Sequence, residues 1–112
     1  MHIEYHNKKV EQYCTDMIEA KKKFELKIAT KLMQVINFIE AAESLNDVIK
    51  YPPFNFHDLK GNRKGQYAID IAGRKSKYRL ILKLSKSETI DVYADAKSIE
   101  VVIIQEVSKH YE

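Results

Sequence analysis

The stretch that decides the fold is YAIDIAGRKSKYRLILKL, residues 67–84. In its first part, large apolar residues at 67, 69 and 71 alternate with smaller or polar ones. This period of two is typical of a strand that buries one face. After a polar segment at 73–77, the same alternation resumes from Tyr78 to Leu84. Two alternating runs joined by a short glycine-containing turn predict a β-hairpin.

Two further strands are predicted on either side of this hairpin. Residues 99–107 form a nearly continuous apolar run rich in Val and Ile, which predicts a central strand covered on both faces. Residues 2–6 alternate polar and apolar, which predicts a short first strand. The polar stretch 85–98 is interpreted as a loop, or as a weak strand at 90–93.

The helices are predicted between the first strand and the hairpin. Asn7 can cap a short helix that runs to about Thr15. A longer helix is predicted to begin after Asp16, because apolar residues then recur every three or four positions on one face. These residues are Met17, Ala20, Phe24, Ile28, Leu32, Val35, Ile39 and Ala42. Residues 44–50 predict another short helix, which the Pro52–Pro53 pair ends.

This order of elements predicts an α+β fold. Helices would pack on one side of a small, mostly antiparallel, twisted sheet. The chain length of 112 residues suits a single domain spanning 1–112. The segment 1–13 is too polar for a secretory leader, and no apolar run is long enough to span a membrane. The lone Cys14 cannot form an internal disulfide, so we expect a packed thiol and a cytoplasmic protein.

The positive charge is concentrated in the middle of the chain. The net charge of the whole chain is only +3, but residues 57–86 carry nine basic and two acidic side chains, a net of +7. Residues 1–56 sum to zero and residues 87–112 to −4. Such a block fits a polyanionic partner such as RNA, although a solvated surface would show the same pattern.

Three motifs resemble toxins of the HigB branch of the RelE superfamily. The segment HDLKGNRKGQYAI, residues 57–69, is similar to the central motif of that branch. Tyr78–Arg79–Leu80 resembles the start of the next strand across the superfamily. The ending VVIIQEVSKH, residues 101–110, is similar to the last strand of the branch.

The resemblance implies a microbial-RNase-type fold with an N-terminal strand and a helical hairpin on one side of the sheet. It also implies the toxin of a type II toxin–antitoxin system, which cuts mRNA on the ribosome without a metal or cofactor. The implied partners are the ribosome, mRNA and a co-encoded antitoxin. That antitoxin would carry a helix-turn-helix and bring the complex to operator DNA.

Three residues are the candidates for chemistry. Metal-free RNA cleavage must remove the 2′-hydroxyl proton, stabilise charge on the phosphate and protonate the leaving 5′-oxygen. Arginine suits the phosphate and histidine suits the proton transfers. Matching the motifs therefore assigns Arg79 to the phosphate and His110 to proton transfer as general acid or base. His57 is either the second proton carrier or a ring that stacks on a base. Arg79 alternates with Tyr78 and Leu80, so we expect that the core does not need it.

Other cations are candidates for holding RNA phosphates. They are Lys60, Arg63, Lys64, Arg74 and Lys109. The chain departs from the family pattern at four positions. Ala68 and Asp70 stand where some superfamily members carry lysines, and Ser108 and Lys109 replace an Asp–Tyr pair. Two alternatives therefore remain open: a non-nuclease toxin that poisons gyrase, or a binding module without catalysis. The scattered histidines and single cysteine lack zinc-ligand spacing.

Overall fold

The computed structural model describes residues 1–84 and 91–109 and shows an α+β fold around a five-stranded sheet. The strand order is β1-β5-β4-β3-β2. The β1–β5 pair is parallel and the other pairs are antiparallel, so the expected mostly antiparallel sheet is confirmed. The strands are β1 (His2–Tyr5), β2 (His57–Asp58), β3 (Gln66–Asp70), β4 (Tyr78–Lys83) and β5 (Val101–Lys109).

Side-chain caps start the first two helices, as the sequence predicts. Asn7 Oδ1 accepts a hydrogen bond from the backbone N–H of Val10 at 2.9 Å, and Asp16 Oδ1 accepts one from Ile18 at 2.9 Å. Each cap satisfies an amide that has no partner within its helix. The helices are α1 (Lys8–Thr15), α2 (Met17–Lys23), α3 (Leu26–Ala41), α4 (Leu45–Ile49) and α5 (Val92–Asp95).

The prediction of one long helix after Asp16 is wrong, because the chain breaks at Phe24 and forms α2 and α3. Phe24 has an extended backbone (φ −127°, ψ 154°). Its ring is buried edge-on against Tyr13 at 5.5 Å and Tyr78 at 5.8 Å between ring centres. The break leaves the spacing of apolar residues intact, so periodicity alone could not reveal it.

The last strand, β5, is central as predicted, but only one of its faces is fully covered. Val102, Ile104 and Val107 are buried, whereas the intervening residues are partly exposed. The predicted weak strand at 90–93 is also wrong where it can be seen, because Val92 begins α5. Residue 90 lies outside the described residues.

A β-bulge in β5 decides which residues share a face. Ile81 pairs with Glu106, but the next residue, Leu82, pairs with Ile104, so residue 105 is extra. The extra residue reverses the alternation along β5. Val107 therefore returns to the helix-covered face, where its N–H donates to the Tyr13 hydroxyl at 3.1 Å.

Cys14 is the packed thiol that the sequence predicts. It is fully buried, and burial raises its pKa to about 12. We expect 5,5′-dithiobis(2-nitrobenzoate) to react with the folded protein only through unfolding. The unfolded thiol ionises above about pH 8.5 whereas the folded thiol keeps its proton, so stability falls as pH rises. The loss specific to Cys14 should be on the order of 1–2 kcal/mol at pH 10 in urea titrations and absent in Cys14→Ala.

Candidate functional site

The candidate site lies on the face of the sheet opposite the hydrophobic core, and the side chains at the centre of this face, Ala68 and Ile81, are themselves buried. Tyr78, Leu80 and Leu82 of β4 belong to the hydrophobic core, so Arg79 and Ile81 point to the opposite face. Cross-strand pairing then places Asp70 of β3 and Ser108 of β5 on either side of Arg79. We call this surface the open face.

Arg79 is held tightly on the open face. Its Nε lies 2.9 Å from Oδ1 of Asp70, and its side chain is only 13% exposed. Nη1 donates to the carbonyl oxygens of Ser76 and Tyr78 at 2.5 and 3.0 Å, and Nη2 donates to that of Arg74 at 3.3 Å. Most of its five N–H donors are therefore engaged within the protein.

The expectation that the interior does not need Arg79 is wrong. The Asp70 side chain is fully buried, and an isolated carboxylate there would be costly. The contact with Arg79 is an ion pair by distance without hydrogen-bond geometry, and neither Asp70 oxygen accepts a hydrogen bond from the described residues. Among the described residues, Arg79 is therefore the one charged partner of the buried Asp70 carboxylate.

His57 enters the open face from the edge strand β2. It pairs across the strands with Ala68, and its Nδ1 lies 2.8 Å from the backbone carbonyl oxygen of Asn55. A carbonyl can only accept, so Nδ1 carries the proton. In the neutral ring Nε2 then keeps its lone pair and can accept a proton. The preceding Phe56 stacks on Tyr67 at 5.4 Å, which anchors β2.

Asn55 joins three of the predicted site residues. Its carbonyl oxygen binds His57, and its Oδ1 accepts a hydrogen bond from Nη2 of Arg74 at 3.0 Å. The Arg74 carbonyl in turn binds Arg79. Asn55 has a left-handed backbone (φ 47°), which asparagine adopts more readily than most residues. With strands about 4.8 Å apart, His57 and Arg79 have Cα atoms roughly 12 Å apart.

Arg63 crosses the same face farther along the strands. Nη2 bonds Glu106 of β5 at 2.7 Å, and Nη1 bonds Gln66 of β3 at 3.0 Å. Since β4 lies between those strands, the guanidinium spans it. Lys60 and Lys64 flank the short turn that carries Arg63 and are exposed.

Lys109 lies away from this group. It pairs with Tyr78, and its Nζ sits 5.7 Å from the centre of that ring, on the side opposite Arg79. His110 lies outside the described residues, so its predicted place near Arg79 is untested. The described structure thus brings His57, Arg74 and Arg79 into one network, with Arg63 on the same face.

Sequence reasoning missed the residues that support this network. Asn55 lay outside the motif, and its only signal was an asparagine after a proline pair, a common turn residue. Asp70 was treated as a departure from the family, although it pairs with Arg79. The contact of Glu106 with Arg63 was not predicted, because the sequence did not show the bulge that places Glu106 on the open face. Residues 1–84 and 91–109 contain no cluster of histidine, cysteine or carboxylate side chains suited to a metal.

The open face suits an anionic ligand. Arg79 and Lys83 of β4 lie on it, and the Arg63 side chain crosses it. Lys60 and Lys64 flank the turn that carries Arg63, and Arg74 bonds Asn55 at its edge. The carboxylates beside Arg79 and Arg63, those of Asp70 and Glu106, are each paired with an arginine. A family model described as the RelE-like toxin HigB of a type II toxin–antitoxin system matches residues 3–97. The chain belongs to this family of HigB-like toxins.

Several solved structures share the fold of this HigB-like toxin. The YoeB–YefM complex from Staphylococcus aureus contains a chain 16% identical, with a TM-score of 0.56 and coverage of 99% of this chain and 98% of that one. The YoeB/ParE toxin from Agrobacterium tumefaciens is 14% identical (TM-score 0.53), covering 99% and 100%. HP0894 from Helicobacter pylori is 18% identical (TM-score 0.52), covering 98% and 94%. No curated protein sequence matches the chain.

The family also defines the partner of the HigB-like toxin in general terms. A type II toxin is paired with an antitoxin, so a cognate antitoxin is the expected partner. Among the helices of the described residues, none is long and apolar enough to cross a bilayer.

Proposed function

We propose that the protein is an endoribonuclease that cuts mRNA on the ribosome, by attack of a ribose 2′-hydroxyl on the adjacent phosphate. RelE-like toxins are in general RNases, and the family match supports that chemistry. The observation that carries the proposal is the chain of contacts His57–Asn55–Arg74–Arg79. It joins a proton acceptor to two arginines at the face of the sheet opposite the hydrophobic core.

In this proposal His57 Nε2 takes the 2′-hydroxyl proton. Its hydrogen bond to Asn55 selects the tautomer that can do so. Arg74 is exposed and supplies charge to the phosphate as negative charge builds on it. Arg79 lies next to the reacting phosphate and contributes through its remaining N–H and its charge. The Asp70 carboxylate weakens that charge, so we expect a modest cleavage rate.

His110 is proposed as the second proton carrier, which protonates the leaving 5′-oxygen. Its support is the resemblance of the chain ending to the family pattern. Lys60, Arg63 and Lys64 are proposed to hold flanking phosphates, because they border the same face as His57. Lys109 is proposed to contact RNA only away from the cleaved bond, since it lies over Tyr78.

The proposed partners follow from the family. They are the ribosome and mRNA, together with a helix-turn-helix antitoxin that brings the complex to operator DNA. The YoeB–YefM complex supports an antitoxin as the partner, but it does not support the helix-turn-helix or the binding to DNA, because its resemblance to this chain is one of fold alone.

Mapping of mRNA 5′ ends after induction of the chain alone tests the nuclease directly. We expect new ends within translated codons, and few in untranslated regions, because cleavage depends on the ribosome. Co-expression with the antitoxin should remove them. A gyrase poison on the same fold is the alternative, and the pairing of Arg79 with Asp70 favours it. Intact mRNA together with broken chromosomes would establish that alternative and overturn the nuclease.

A further inference from the structure

A second cationic surface lies on the helix-covered side of the sheet. Two adjoining cavities of about 530 and 330 Å³ run between α3 and the β3–β4 turn. They share Lys27 and Ala72, so they lie side by side, and we treat them as one surface. We call it the lysine groove, because its lining includes five lysines: Lys27, Lys31, Lys75, Lys77 and Lys109.

The lysines come from three separate elements and converge on this groove. Lys27 and Lys31 are one turn apart on α3, Lys75 and Lys77 lie in the β3–β4 turn, and Lys109 ends the described part of β5. Within residues 1–84 and 91–109, neither α3 lysine forms an ion pair, nor do Lys75 and Lys109. Like charges along a concave wall repel each other and focus a positive potential.

Acidic groups do little to offset this charge. The acidic residues of the lining are Glu25 and Asp70, and the Asp70 side chain points to the opposite face of the sheet. Asp70 is 1% exposed and already paired with Arg79, so it offers no partner to the lysines. The groove therefore has a strong net positive charge.

One end of the groove is aromatic. Phe38, Tyr51 and Phe54 pack against one another with ring centres 4.7–4.8 Å apart. Tyr51 remains 40% exposed, so part of its surface is open to a ligand. An exposed ring beside several cations is the arrangement that binds single-stranded nucleic acid, with bases on the ring and phosphates on the cations.

We propose that the lysine groove binds a second segment of single-stranded RNA, separate from the bond that is cut. Lys27 and Lys31 contact phosphates, and a base stacks on Tyr51. The groove adjoins the open face through Phe54 and Gly73, whose next neighbours in the chain are the bonded pair Asn55 and Arg74. One strand could therefore pass around this end of the sheet. The choice of RNA as ligand rests on the proposed function.

The test uses a fluorescent 12-nucleotide 2′-O-methyl RNA, which cannot be cleaved by 2′-hydroxyl attack. Binding is measured by anisotropy from 0.05 to 0.3 M salt. We expect Lys27→Gln/Lys31→Gln to weaken binding roughly 10- to 30-fold at 0.1 M salt. A plot of the logarithm of the binding constant against the logarithm of the salt concentration has a negative slope. This slope should become shallower by about 1.4, because two phosphate contacts are lost. The matched control is Lys8→Gln/Lys97→Gln, which removes two exposed lysines outside the groove and should change Kd less than two-fold.

Tyr51→Leu separates RNA from an acidic polypeptide as occupant. Leucine keeps an apolar side chain but has no ring, so RNA binding should weaken at least five-fold. Two results together would show that the groove binds peptide and that the proposal is wrong. Tyr51→Leu would leave RNA binding unchanged, and the lysine variants would weaken the binding of a 12-residue oligoglutamate as much as the binding of RNA. Equal effects of the groove and control lysines would also overturn it. The anisotropy experiment measures binding of an RNA that cannot be cut. Its result therefore tests the groove even if the protein proves not to be a nuclease.

Discussion

Arg79→Met should destabilise the protein by about 3–5 kcal/mol at neutral pH. Methionine approximates the length of the side chain but leaves the buried Asp70 carboxylate without its compensating charge. Removing one partner of a buried ion pair costs far more than removing both. We therefore expect Arg79→Met/Asp70→Leu to recover most of the loss, as measured by urea unfolding followed by circular dichroism.

The same pair of variants separates the structural and catalytic roles of Arg79. Loss of toxicity in a single Arg79 variant would be ambiguous, because that variant is also unstable. The double variant keeps the charge balance and we expect it to fold, so absence of cleavage in the folded double variant would assign a catalytic contribution to Arg79. Normal cleavage by the double variant would show that the role of Arg79 is structural, as the charge partner of the buried Asp70 carboxylate. A cost below 1 kcal/mol for Arg79→Met would contradict the buried ion pair itself.

His57→Ala should lower the cleavage rate by about 100- to 10,000-fold, the range that a positioned proton carrier contributes. The expected cost in stability is small, about 1 kcal/mol, because His57 is only partly buried on the edge strand and makes one hydrogen bond to Asn55. Rates are measured as single-turnover cleavage of ribosome-bound mRNA by purified toxin.

Two control variants make the His57 result specific. His6→Ala replaces an exposed histidine that follows β1, and its rate should stay within two-fold of the original. His57→Gln keeps a polar side chain but cannot take up a proton in the same way, so it should be as slow as His57→Ala. If His57→Gln cleaves normally, His57 is not a proton carrier.

Local patterns predicted much of the secondary structure. Strand alternation located the β3–β4 hairpin, and helix caps located the starts of α1 and α2. Those features depend on residues close together in the chain, so sequence reveals them. The break at Phe24 was missed because its cause is distant: the ring packs against Tyr13 of α1 and Tyr78 of β4.

The candidate site was predicted in part. The motifs suggested His57, Arg63 and Arg79, and the concentration of charge suggested Arg74. The structure links His57, Arg74 and Arg79 through Asn55 and places Arg63 on the same face as Arg79. The motif also suggested Lys109, which lies on the other face. No local pattern marks the bulge at residue 105, which places Ser108 opposite Arg79 and sends Lys109 to Tyr78.

The amino-acid sequence by itself determined the family, the elements and the concentration of positive charge in the middle third of the chain. Each of these depends on composition, spacing or a contiguous motif. Only the tertiary structure decided how that charge is used. Arg79 neutralises a buried carboxylate, Asn55 connects His57 to Arg74, and several lysines line a groove behind the sheet. These outcomes depend on distances between residues far apart in the chain, which packing sets and local sequence does not encode.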